Sequence, residues 1–226
     1  MDKYPTELDT RDIALSTTKT VISAIPYAGA PIVELLNAIV TPSIQKRRDA
    51  WFQEIGKKLD ELGQTQDGIL EKLANDDTFI DISLKTTELA LKTSQDEKLE
   101  ALRNALFNSV TSQAIDISLQ QIFLSYVDTF TVWHIKLLKL FDNPKTYEHK
   151  LSHISMGGLS LLIEIAYPEL KSKDEFTRQI FKDLYAKGLL NTDSLGTTMT
   201  QSGILAQRTT KMGQDFIQYI SDRTND

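Results

Sequence analysis

The 226-residue chain contains no cysteine. That excludes a disulfide scaffold, a thiolate zinc site and a cysteine nucleophile. Histidine is scarce, with only His134, His149 and His153. A three-histidine metal site would need all of them. The chain has no Gly-x-x-x-x-Gly-Lys-Ser/Thr, no Gly-x-Gly-x-x-Gly and no Gly-x-Ser-x-Gly sequence. The common phosphate-cradling loops and the nucleophile elbow are therefore missing. Neither sign of charge dominates, with 25 Lys+Arg against 31 Asp+Glu and a net charge of -6. This argues against a binder of polyanions over its whole surface. The polar, acidic start Met1-Asp2-Lys3-Tyr4-Pro5-Thr6-Glu7 has no basic region before an apolar run, so no secretory signal is expected and the chain reads as cytoplasmic.

Long hydrophobic runs are limited to one. Residues 21–40, VISAIPYAGAPIVELLNAIV, have the length of a membrane span. Pro26 and Pro31 break the helix, and Glu34 near the middle costs about 2.5–3.5 kcal/mol on insertion scales. A buried hairpin turning at Tyr27-Ala28-Gly29-Ala30 is the expected state. Membrane contact would then require release of residues 21–40. In that event Ile32 and Leu36 would meet lipid or a partner, followed by Lys46, Arg47 and Arg48, the one basic triplet.

Glycine and proline are absent from residues 69–143. Long helices with short polar joints are expected there. Beyond Pro144 the breakers return, with glycine at 157, 158, 188, 196, 203 and 213. The sequence therefore reads as two domains, residues 1–144 and residues 145–226. The acidic excess lies wholly in the first, and the second is neutral.

Helical periodicity predicts a helix near residues 9–24, a short one near 31–40, and a new one from Thr41-Pro42 to Leu62, stopped by Gly63. Further runs are expected over 69–73 and 79–91, and from Ser94 onward. The strongest signal lies between Ile115 and Phe141. Leu119, Ile122, Phe123, Tyr126, Val127, Phe130, Trp133, Leu137, Leu138 and Phe141 recur at threes and fours. A single helix of about 40 Å is expected. Its stripe, marked by Phe123, Tyr126, Phe130 and Trp133, is either the centre of a bundle or a surface for self-association.

The C-terminal part predicts a short helix over 158–166 and a second one opened by Ser172-Lys173-Asp174-Glu175 and stopped by Lys187-Gly188. A polar hairpin and a last helix from Thr209-Thr210 follow. This order resembles a winged helix-turn-helix domain over about residues 150–222. The pattern Thr210-x-x-Gly213-x-x-Phe216-Ile217-x-x-Ile220 is similar to the segment that follows the wing in many such domains. The resemblance implies a recognition helix carrying Arg178 and Lys182, with Arg208 beyond the wing. These three would touch phosphate if the domain read nucleic acid. Asp174, Glu175, Asp183 and Asp193 stand among them, and this mixed charge favours protein contact. Residues 25–62 and 96–110 resemble segments of an uncharacterised group of small bacterial helical proteins, which implies a bacterial setting and a stress or defence role.

His149-x-x-x-His153 has metal-ligand spacing on a helix, but ordinary surface histidines are the expected reading. The paired carboxylates Asp60-Glu61, Asp76-Asp77 and Asp96-Glu97 suit helix starts and solvated faces. No catalytic residue, cofactor or metal site is expected. The fold class is mainly α: an N-terminal helical bundle with a long central helix, plus a C-terminal winged-helix-like domain. The first functional reading is a non-enzymatic protein that binds a protein partner or itself as a homo-oligomer. A DNA-binding transcription regulator and a membrane-active protein using residues 21–40 are the alternatives.

Overall fold

The computed structural model describes residues 30–111 and 115–222. The helix expected near residues 9–24, and residues 21–29 of the apolar run, lie outside the described residues. The protein is mainly helical. It divides into two compact units, residues 1–50 and residues 51–226, and the turn at Asn143-Pro144 lies inside the second.

Helix α1, Ala30–Thr65, contributes to both units. It continues through Pro42, where a new helix was expected to start. Proline removes one N–H from the ladder and crowds the carbonyl four residues earlier; next to it the Ser43 hydroxyl donates to the Ile39 carbonyl at 2.8 Å. Gly63 likewise fails to stop the helix, which continues to Thr65.

The second unit continues with α2 (Ile69–Ala74), α3 (Asp77–Lys92) and α4 (Asp96–Thr111). Asp76 caps α3 by accepting the Phe79 N–H at 2.9 Å. α4 starts one residue later than the Ser94 cap expected, with the Gln95 carbonyl accepting from Lys98 and Leu99.

The long central helix is two helices, α5 (Ile117–Thr129) and α6 (Val132–Asp142). The ladder breaks because Phe130 and Thr131 take extended backbone angles. The Thr131 N–H then donates to His134 Nδ1 at 3.1 Å, closing the start of α6. The apolar period runs across this break unchanged, so it was invisible to periodicity.

Beyond α6 come a 3-10 turn at Pro144–Tyr147, α7 (Glu148–Leu151), strand β1 (Met156–Gly157) and α8 (Leu159–Ala166). A 3-10 turn at Pro168–Leu170 leads to α9 (Asp174–Ala186). The expected Ser172 cap is not used; Lys173 holds the cap position, without a side-chain bond. Gly188 stops α9 at φ 72°, a conformation in which glycine carries no Cβ penalty.

The expected strands of the hairpin are small. Leu190 and Thr209 form one antiparallel bridge. The two-residue strand β2 (Met199–Thr200) pairs instead with β1, Met156 against Thr200. A short α10 (Gln201–Ile204) follows β2, and residues 205–208, where the pattern Ile204 to Arg208 suggests a return strand, form no strand. α11 (Lys211–Ile220) is the last helix among the described residues. Thr210 caps it by accepting the Gly213 N–H at 3.0 Å and donating to the Gly188 carbonyl at 2.6 Å. Those bonds account for the Thr210-x-x-Gly213 pattern.

The core is one cluster centred on α11. Phe216 packs its ring against Phe123, Tyr126 and Phe130 at centroid separations of 5.3, 5.9 and 6.0 Å. Tyr219 adds a fourth contact, 5.7 Å from Phe123. Two asparagines of α4 hold the end of α11. Asn104 donates to the Ile220 carbonyl, and Asn108 donates to those of Gln218, Tyr219 and Ser221. The last carbonyls of a helix have no partner in their own ladder, and these amides supply it.

Candidate functional site

The sequence-predicted residues fall into separate places. Phe123, Tyr126 and Phe130 are buried among aromatic neighbours of their own chain. Trp133 is half-buried and meets Tyr167 edge-on at 5.3 Å. Burial pushes the Tyr167 phenol up to about 12.

Arg178 and Lys182 stand one turn apart on α9. With Asp193, Ser194 and Leu195 of the hairpin they line a recess of about 380 Å³. Arg178 is already paired to Asp174, its Nε donating at 2.8 Å. Arg208 does not line this recess. Its Nη2 donates to the Gly203 carbonyl and lies 3.3 Å from Met199 Sδ, which turns the guanidinium into the hairpin.

Lys46 is exposed, while Arg47 and Arg48 are half-buried, and Arg48 pairs with Asp49 at 3.3 Å. Ile39 is exposed on the same helix. The side chains of Ile32 and Leu36 lie outside the described residues. Among the described residues, no helix is long and apolar enough to cross a membrane. His149 and His153 are exposed and do not share a helix, because α7 ends at Leu151. No group of three ligating side chains that could hold a metal occurs among the described residues.

One surface feature among the described residues was missed by sequence reading. α3 buries Phe79, Ile82, Thr86, Leu89 and Ala90 on one face. Its opposite face presents Asp77, Ile80, Asp81, Leu84, Lys85, Glu88 and Lys92 to solvent. Leu84 is 67% exposed at mid-helix, and Ile80, one turn earlier, is 40% exposed. Neighbouring α5 leaves Ile117 and Ile122 exposed as well. Between the two helices lies an open recess of about 520 Å³, lined by Asp81, Leu84, Lys85, Glu88, Gln121, Leu124 and Ser125.

The charges along this face are ordered. Asp77 and Asp81 occupy its N-terminal half, Lys85 and Lys92 its C-terminal half. Glu88 is held between the two lysines, at 3.2 Å from Lys85 and 2.5 Å from Lys92. Their hydrogen bonds keep the Glu88 carboxyl below the usual carboxylate range. The face carries Ile80 and Leu84 near its centre and charged side chains of both signs along its length. The clue in the sequence was the i, i+4 pair Ile80 and Leu84, which falls off the side defined by Phe79, Ile82 and Leu89. Comparison of the chain with protein-family models, with curated proteins and with solved structures gives no match.

Proposed function

We propose that this protein is a non-enzymatic, self-associating interaction module, and that the outer face of α3 is its contact surface. The observation that carries this reading is Leu84, 67% exposed in the middle of a helix whose other face is fully engaged in the core. Single exposed apolar residues are ordinary. Leu84 lines the recess between the two helices, and Ile80 stands one turn from it on the same face; adjoining exposed apolar residues of this kind mark contact surfaces. Phe123, Tyr126 and Phe130 of the aromatic stripe do not compete for that role, because Phe216 and Tyr219 pack against them within the chain.

In this reading residues 150–222 form a winged-helix-like element used for protein contact rather than for DNA. Two of its three candidate phosphate ligands support that use. Arg178 is neutralised by Asp174, and the Arg208 guanidinium is turned into its own hairpin.

The test is molar mass by light scattering across the micromolar range. The native chain is expected above its 25.5 kDa monomer mass. Leu84→Glu should return it to the monomer with unchanged helical circular dichroism. A native chain that stays at 25.5 kDa, or a Leu84→Glu variant with unchanged mass, would overturn the reading.

A further inference from the structure

Two lysines line one recess in opposite settings. The recess, about 370 Å³, lies where α3, α4 and α5 meet, and buried Leu89, Leu102 and Val127 form its floor. Lys92 enters it from α3 and Lys98 from α4. Lys92 is exposed, and its amine is held by Glu88 at 2.5 Å, a bond that raises its pKa above the ordinary lysine range. Lys98 is half-buried, and its Nζ donates to the Asp128 carbonyl at 2.9 Å. That carbonyl belongs to the last turn of α5, where the helix ladder supplies no partner. We propose that Lys98 is an acylation site, whose amine takes an acetyl group from a small acyl phosphate and lodges it in this recess.

Burial disfavours the charged ammonium of Lys98 and lowers its pKa, with the Asp128 carboxylate opposing. Lys92 faces it across the recess, and His134 of α6 is near enough to feel its charge. Glu97, its neighbour on α4, is engaged by Lys136 at 3.1 Å. A desolvated amine is more often the free base near neutral pH, and the free base is the nucleophile. Acylation also suits the surroundings of the nitrogen. It removes a charge from a half-buried group and leaves one N–H, which can still donate to the Asp128 carbonyl. The acetyl methyl meets Leu89, Leu102 and Val127, an apolar group on an apolar floor.

In the reaction the ammonium first gives one proton to water. The lone pair of Nζ then attacks the acyl carbon of acetyl phosphate. A C–N bond forms, and the bond from that carbon to the bridging oxygen breaks. One of the two remaining amine protons leaves with the phosphate, which departs as hydrogen phosphate. Nothing is oxidised or reduced, and the amide keeps the last proton.

The test treats the intact chain with acetyl phosphate and follows the acetyl occupancy of each lysine by peptide mass spectrometry. Near neutral pH, Lys98 is expected to be acetylated about five-fold faster than Lys92, although Lys92 is the more exposed. The lead should shrink as pH rises toward about 10, where both amines become free. It should vanish in concentrated urea, where the recess is gone. Glu88→Gln, a change at an exposed position, should raise the Lys92 rate about two-fold and leave that of Lys98 unchanged. Native Lys98 acetylated no faster than Lys92, a lead that survives urea, or a Lys92 rate unmoved by Glu88→Gln would each overturn the proposal.

Discussion

His134 is the residue whose environment is most informative. Its ring is buried, stacks on Phe130 at 4.6 Å, and accepts the Thr131 N–H at Nδ1. That bond assigns the proton to Nε2, which donates to Asp183 Oδ2 at 3.4 Å. Burial lowers the His134 pKa below the ordinary 6.5, with Asp183 opposing it and Lys98 adding to it. The unfolded chain therefore takes up this proton more readily than the folded one, and stability falls as pH drops through about 6.5. Above that value the contribution is complete. Protonation would also make Nδ1 a donor and open the start of α6. His134→Asn keeps an acceptor near Nδ1 and cannot titrate. Thermal melts between pH 8 and pH 5.5 should show a flatter slope for that variant than for the native chain. Equal slopes would show that another group sets the dependence.

Among elements, α11 fits most closely. A Cβ added at Gly213 would lie 2.2 Å from the Leu189 carbonyl oxygen, a backbone atom that has nowhere to go. Gly213→Ala should cost about 2 kcal/mol, or roughly 4–8 °C in Tm. Gly56 is the matching control, since a Cβ there meets nothing within 4 Å. Gly56→Ala within α1 should stabilise by about 0.5–1 kcal/mol. Equal effects at both positions would contradict the close approach of α11 to Leu189.

The same elements mark what a sequence can disclose. α3, α8, α9 and α11 were legible because their apolar spacing, glycine stop or threonine cap acts within one or two turns of chain. The break between α5 and α6 was not, because Phe130 keeps the apolar period while the bond from Thr131 to His134 interrupts the ladder. Pro42 misled in the opposite sense: the rule that proline opens a helix ignores that one missing N–H is tolerable inside a long one. At the candidate site the charges were visible, but the exposure of Ile80 and Leu84 was not. Whether an apolar residue is core or surface depends on which side of its helix the rest of the molecule covers.

For the whole molecule, net charge decides the expectation for nucleic acid. A net charge of -6 gives no long-range attraction to duplex DNA for the molecule as a whole. Lys182 and the paired Arg178 are the described cations of the hairpin recess. No retention of duplex DNA is expected at about 150 mM salt, and weak retention at low salt should vanish steeply as salt rises. An electrophoretic shift series over salt concentration measures this. A nanomolar, salt-tolerant complex lost in Arg178→Glu would instead make residues 150–222 a DNA reader.

The asparagine hold on α11 also has a consequence in time. Asn108 is bonded to carbonyls 110 to 113 positions later in the chain, and Phe123 waits for Phe216. During synthesis, the aromatic side of α5 is made long before the helix that covers it. Contacts of such sequence separation form late and slow the search for the native state. For that interval the nascent chain displays Phe123, Tyr126 and Phe130 to whatever surrounds it, including other nascent copies. Phe123, Tyr126 and Phe130, covered in the finished protein, are thus open to association between nascent copies until α11 is made.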